Sequence, residues 1–222
     1  MALDKSSLQS DFKDVFSDML ETENATDEYF AKGISEALVS YISGGQVATT
    51  DAGTVSAGTY AGSGSGKLTV ESGCDEESSE DWTGCAKKIL DACTYMKEHA
   101  KDGGFNGSDY LAEKLGEAVQ LMADEGEVST DVKGTVTPPS GSPSTLNGSA
   151  KGTIAVTTTA LVSKLKETFS SMWSSRKDKD FDGNTEFAKT FATEVDTLYK
   201  AGVISTDGQE ALSGASGAGN IS

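Results

Sequence analysis

The stretch Leu8-Gln9-Ser10-Asp11-Phe12-Lys13-Asp14-Val15-Phe16-Ser17-Asp18-Met19 places apolar side chains at Leu8, Phe12, Phe16 and Met19. Steps of four, four and three set them on one stripe of a helix, since a turn takes about 3.6 residues. The same steps return at Cys85, Ile89, Cys93 and Met96, and again at Leu161, Leu165, Phe169 and Met172. A second stripe with identical steps follows each of these: Phe30, Ile34, Leu38 and Tyr41; Leu111, Leu115, Val119 and Met122; Phe187, Phe191, Val195 and Leu198. Four residues past each last member stands a glycine, Gly45, Gly126 or Gly202. Glycine there is expected to take the left-handed conformation that ends a helix. The spacing predicts three helical hairpins whose stripes, Met19, Met96 and Met172 included, face a common core.

Each hairpin leads into a short β-like tag: Gly45-Gln46-Val47-Ala48-Thr49, Gly126-Glu127-Val128-Ser129-Thr130 and Gly202-Val203-Ile204-Ser205-Thr206. The first two copies continue through Gly53-Thr54-Val55 and Gly134-Thr135-Val136. They close on Gly66-Lys67-Leu68 and Gly152-Thr153-Ile154, while the third fades into a Gly/Ala/Ser tail over 213–219. The fold class is therefore α+β: tandem repeats of an amphipathic helical hairpin followed by a short Gly-rich β-hairpin, two full units and one shortened. Unit 1 spans 1–71, an acidic linker 72–81, unit 2 82–156, and the shortened unit 3 with its tail 157–222. Threonines at 157–159 are placed to cap the next helix. Pro138, Pro139 and Pro143 lengthen the second unit's loop. Strands this polar and Gly-interrupted are expected to present open edges, to be paired between units or between subunits.

Composition narrows the function. Leu, Ile, Val and Phe together fall below the ~20% at which a highly charged chain is suspected of disorder, so the repeats, not the composition, argue for a fold. A formal charge of −17 and a pI near 4.3 argue against a nucleic-acid or anionic-membrane binder, which needs basic surface. One histidine, His99, excludes any site built on two. No signal peptide is expected at the N-terminus, and no run approaches the ~18 apolar residues of a membrane span. Cys74, Cys85 and Cys93 are an odd set that fits a reducing compartment, with buried free thiols.

Two motifs resemble binding loops and fail on inspection. Ala61-Gly62-Ser63-Gly64-Ser65-Gly66-Lys67-Leu68 is close to a phosphate-binding loop. Ala61 stands where the first glycine belongs, Leu68 where the magnesium-binding hydroxyl belongs, and a strand follows instead of a helix. A tight hairpin turn is the expected structure. Asp178-Lys179-Asp180-Phe181-Asp182-Gly183, with Glu186 beyond, matches the first half of an EF-hand loop, but Lys189 replaces the bidentate glutamate. The corresponding turn of the second copy has Asp102, Gly104, Asn106, Gly107 and Glu113, and the first keeps only Glu21 and Glu23. Interhelical turns capped by Asp and Asn are the expected reading. Trp82 and Trp173 lie at helix ends, as core satellites or interface anchors. No residue is assigned a catalytic, cofactor-binding or metal-binding role, and the chain is read as not an enzyme.

The unit resembles a repeat of virion structural proteins in tailed bacteriophages, of the cyanophage and myovirus type. The resemblance is carried by Tyr41, Gly45, Val47 and Thr49, by Gly53-Thr54-Val55, by the Gly-rich strand 62–68, and by Gly134-Thr135-Val136-Thr137-Pro138-Pro139 with Gly152-Thr153-Ile154. It implies a non-enzymatic building part of the virion (neck, tail, baseplate or capsid accessory), assembled in the host cytoplasm through its β segments. It implies other virion proteins, and self-association, as partners, with no nucleic acid, membrane, small-molecule substrate or cofactor. The alternative from the residues alone is a calcium-responsive helix-loop-helix binding module.

Overall fold

A computed structural model describes residues 3–21, 26–74 and 77–222. Glu23 of the first interhelical turn and Asp75 and Glu76 of the acidic linker lie outside them, as does the side chain of Glu21. Among the described residues the chain is mixed helix and strand, so α+β holds. The order is α1 (Lys5–Glu21), α2 (Asp27–Gly44), β1 (Val47–Val55), β2 (Gly58–Thr69), α3 (Gly84–His99), α4 (Gly107–Glu125), β3 (Glu127–Thr137), β4 (Ser144–Ala155), α5 (Thr159–Ser175), α6 (Gly183–Ala201), β5 (Val203–Gly208) and β6 (Ala215–Ile221). Short 3-10 turns at Ser79–Asp81 and Glu210–Leu212 precede α3 and β6.

Local chemistry starts the helices. Thr26, Asn106 and Asp182 each accept a hydrogen bond from the backbone N–H three residues on, at 3.3, 3.2 and 3.0 Å, satisfying a donor the helix leaves free. Thr158 occupies the capping position of α5, but its hydroxyl makes no such bond. The helices pack as a closed ring, each against both neighbours, with α6 returning to α1. Apart from Met96, the stripe residues all pack into or against one core, and burial is graded along them. Leu8 and Phe12, Cys85 and Ile89, Leu161 and Leu165 are buried; Phe16 and Met19, Cys93 and Met96, Phe169 and Met172 are half-buried. Phe12 stacks on Phe191 with ring centroids 4.9 Å apart, and Phe16 meets Phe187 edge-on at 5.3 Å. Full burial of such side chains stabilises by roughly 1.5–3 kcal/mol each, which lets a short apolar inventory suffice.

All six strands close into an antiparallel barrel in sequence order, with β6 pairing back on β1. Each strand sends one aliphatic residue into the helix-facing mouth: Val47, Leu68, Val128, Ile154, Ile204 and Ile221, all within the large core. The far end holds a second, smaller core of Val55, Tyr60, Val132, Val136, Ala150, Leu212 and Ala215. Between them the register is regular. Gly66 pairs with Val47 and Thr130, Gly152 with Val128 and Thr206, Gly219 with Ile204 and Thr49. A barrel of so few strands must coil sharply, and glycine permits the close approach. A Cβ at Gly66, Gly152 or Gly219 would lie 1.9, 1.9 or 1.8 Å from a carbonyl oxygen of the adjoining strand.

The structure corrects several expectations. Residues 213–219 are not a loose tail: β6 runs through them, so the third hairpin is short but present. Its Gly219-Asn220-Ile221 repeats the pattern of Gly66-Lys67-Leu68, a signal the sequence held. The open edges expected of the single hairpins are met by one of the two pairings foreseen, that between units: β2 pairs with β3, β6 with β1, and β4 with β5 over Ala150–Ala155. The stretch 61–68 is not a turn but the interior of β2; the reversal falls at Ser56 and Ala57. Gly45, Gly126 and Gly202 are extended, with φ of −69°, −70° and −61°, not left-handed. Space explains them instead: a Cβ there would lie 2.6, 2.9 and 2.7 Å from Ile221, Leu68 and Ile154. Within 72–81, Ser72 and Cys74 are buried and Gly73 O accepts from the Thr83 N–H at 2.8 Å, while residues 77, 78, 80 and 81 are exposed.

Glu210, eight residues beyond Gly202 as Gly53 lies beyond Gly45, has a φ of 50°. Among the described residues it is the one non-glycine with a positive φ. A left-handed glutamate is strained, so Glu210→Gly is expected to stabilise the chain by about 1 kcal/mol in urea unfolding.

Candidate functional surface

Because α2, α4 and α6 run directly into strands, their first residues and the last residues of α1, α3 and α5 lie at the end of the ring far from the barrel. That end carries the two most exposed large apolar side chains among the described residues, Leu20 at 77% and Trp173 at 68%; Val203, 57% exposed, lies instead at the start of β5. Leu20 and Trp173 each follow the last methionine of their stripe by one residue. The Arg176 guanidinium lies 3.9 Å above the Trp173 ring, and its Nη1 donates to the Trp173 carbonyl. Beside it Phe105, Asn106, Lys166, Phe169 and Trp173 line a groove of about 500 Å³. Tyr95, His99, Phe105 and Tyr110 form an aromatic cluster on the same end, Tyr95 stacking on His99 at 3.8 Å and on Tyr110 at 4.8 Å. Lys97 bridges α3 to Asp27 of α2 at 2.7 Å. His99, the one histidine, is thus held by ring stacking and by Nδ1 at 2.9 Å from Tyr95 O.

The EF-hand-like residues are occupied locally. Asp182 accepts from the Thr185 N–H and from Thr185 Oγ1 at 2.5 Å, which holds its carboxyl below the usual range. Asp178 Oδ1 accepts from the Asp180 N–H at 3.1 Å. Carboxylates so used serve turn and cap. Millimolar calcium is expected to leave the melting temperature and helix content unchanged; a rise equivalent to about 2.7 kcal/mol, the linkage at a hundred times Kd, would favour the calcium-responsive reading. Among the described residues no three His, Cys, Asp or Glu side chains gather as a metal ion requires. The lysines of the Gly-rich strands, Lys67 and Lys151, face outward, Lys151 pairing with Glu127 at 2.6 Å. Trp82 is buried in the main core, whereas Trp173 is the exposed one.

Sequence reasoning missed a polar layer inside the barrel. Thr49, Asp51, Thr130 and Thr206 are all buried there. The alternation Val47-x-Thr49-x-Asp51 carries that signal, since residues two apart share a sheet face. Buried polar groups also occur in the helical ring. Tyr41 Oη donates to Asp196 Oδ1 at 2.7 Å; burial, then this bond, raises its pKa above 10.0. Burial raises Tyr199 likewise and pushes the Cys85 thiol from 9.0 up to about 12. All three cysteines are free.

These three groups hold their protons more tightly folded than unfolded. Their stabilisation is complete below the unfolded values and is lost as pH rises through them toward the folded ones. The melting temperature is expected to be flat near neutrality and to fall between about pH 9 and 11. Tyr41→Phe should shallow that fall; an unchanged slope would show that Tyr41 contributes nothing to it.

Comparison with family models, with curated proteins and with solved structures gives no match.

Proposed function

We propose that this chain is a non-enzymatic structural component of a tailed-phage virion, in the neck, tail, baseplate or capsid surface, built from three copies of one helical-hairpin and β-hairpin unit. Three units arranged around the barrel would account for the matched stripes and for the regular glycine pairing. Contact with other virion proteins, or with further copies of itself, is made by the interhelical-turn end. The β segments were the expected contact; most of their edges pair with one another around the barrel, Ser144–Gly148 of β4 having a strand neighbour on the β3 side alone. The observation that carries the reading is the pair Leu20 and Trp173, large apolar side chains exposed on the end opposite the barrel. Large apolar surface left in water is where a protein partner gains most on binding.

The test is the double substitution Leu20→Ser with Trp173→Ala, introduced in the phage that encodes the chain. Both side chains are exposed, so the isolated variant should melt as the wild type does. Incorporation into particles should be lost. Wild-type incorporation of the double variant would place the contact elsewhere and remove the support for this reading.

A further inference from the structure

The barrel closes around an acid with no positive partner among the described residues. Asp51 is 3% exposed. Its Oδ2 accepts from Thr49 Oγ1 at 2.8 Å and its Oδ1 from Thr206 Oγ1 at 3.3 Å. Two neutral hydroxyls do not repay the removal of a carboxylate from water, which is why buried charges are paired or bound to ions. The strand lysines cannot supply the charge: Lys67, Lys133 and Lys151 are all exposed on the outer face. In the sequence matches the position of Asp51 is taken by Val132 and Gly208, so the acid belongs to one hairpin alone.

A second observation points to the same place. Tyr60 is 1% exposed, and its hydroxyl has no hydrogen-bond partner. That hydroxyl reaches the layer of Asp51 over β2 and β3: a Cβ at Gly62, which pairs with Asp51 across β1 and β2, would lie 2.3 Å from it, and one at Gly134 2.5 Å. The other oxygens converge from the opposite side. One point, where a Cβ at Gly64 would stand, lies 2.3 Å from Thr49 Oγ1 and 3.1 Å from both Asp51 Oδ2 and Thr130 Oγ1. A Cβ at Gly217 would lie 2.1 Å from Asp51 Oδ1 and 2.4 Å from Thr206 Oγ1. Thr130 Oγ1 reaches only Ala150 O, at 3.5 Å, the outer limit of a hydrogen bond, so its lone pairs are uncommitted.

We infer that the barrel interior binds one monovalent metal cation, sodium or potassium, on the Asp51 carboxylate, with Thr49, Thr130, Thr206 and Tyr60 supplying neutral oxygens. Charge decides the class. One carboxylate neutralises one monovalent ion, whereas calcium takes six to eight oxygens, several of them charged. The threonine hydroxyls can keep donating to the carboxylate while a lone pair of each faces the ion. The site is independent of the contact surface proposed above and lies at the other end of the molecule.

The test uses the full chain, melted in sodium, potassium and choline chloride at equal ionic strength. The melting temperature should be higher in sodium or potassium than in choline, and the difference should saturate with metal concentration. Asp51→Asn should abolish the difference, and Thr130→Val, close to isosteric, should raise the half-saturating concentration at least tenfold. Should Asp51→Asn fail to fold, thallium soaked into wild-type crystals should give an anomalous peak beside Asp51. Equal melting in all three salts overturns the proposal, as does a salt difference that survives in Asp51→Asn. A crystal with only ordered water at that position overturns it too.

Discussion

Alanine in place of Gly66, Gly152 or Gly219 should cost about 3 kcal/mol at each position, read as a lower urea midpoint at an unchanged slope. The added methyl would meet a carbonyl oxygen of the neighbouring strand at less than 2 Å, and a backbone atom cannot rotate away as a side chain can. Relief requires the strands to part, which opens the sheet at the turn of the barrel wall. Gly44→Ala is the control, because a Cβ there meets nothing within 4 Å. It should leave stability unchanged or raise it by up to about 1 kcal/mol, since alanine favours helix over glycine. Three substitutions as mild as the control would mean that the strands do not approach as described.

Phe191→Ala should cost about 4 kcal/mol, the upper part of the range for a large side chain removed from a tight interior. Phe191 is fully buried, stacks on Phe12 at 4.9 Å and leans on Phe187 at 5.5 Å, so the change empties space at the junction of α1 and α6. Thermal unfolding of the variant measures it. The stripe alone would rank Phe169 equally, but that residue is half-buried near the interhelical turns. Phe169→Ala should cost only about 1–2 kcal/mol, because water already reaches one side of the ring. Equal losses at the two positions would contradict the gradient of burial along the helices.

The helices were legible because side-chain periodicity is written in neighbouring residues: Leu8, Phe12, Phe16 and Met19 need no distant partner to declare their face. The barrel was not, because its closure rests on backbone pairs such as Thr49 with Gly219, far apart in the chain and carrying no side-chain code. The strands of the first two hairpins and β5 were visible singly, as Val, Thr and Gly patterns, while their partners were not. The third hairpin was hidden by its brevity, with Leu212 of a 3-10 turn plugging the wall where the others have longer strands. The helix-ending glycines were found for a mistaken reason. Their position was right, but the constraint comes from Ile221, Leu68 and Ile154 pressing on them, which only tertiary packing reveals. Trp173 and Leu20 illustrate the same limit, since a helical stripe tells which residues turn inward and not which outward ones gather at one end.

The pairing of β6 with β1 also sets a clock. On a ribosome adding roughly 5–20 residues per second, the chain segment from the end of β1 to the end of β6 takes on the order of ten seconds or more to emerge. Throughout that interval β1 has one neighbour, β2, and its other flank exposes unpaired amides, the geometry by which nascent chains stick to one another. The strongly negative chain gives neighbouring copies on one messenger a reason to stay apart while they wait, by mutual repulsion. A barrel sealed by its last-made strand therefore makes the newborn molecule its most vulnerable form, and a pause in translation before residue 215 would prolong the danger without altering the finished protein.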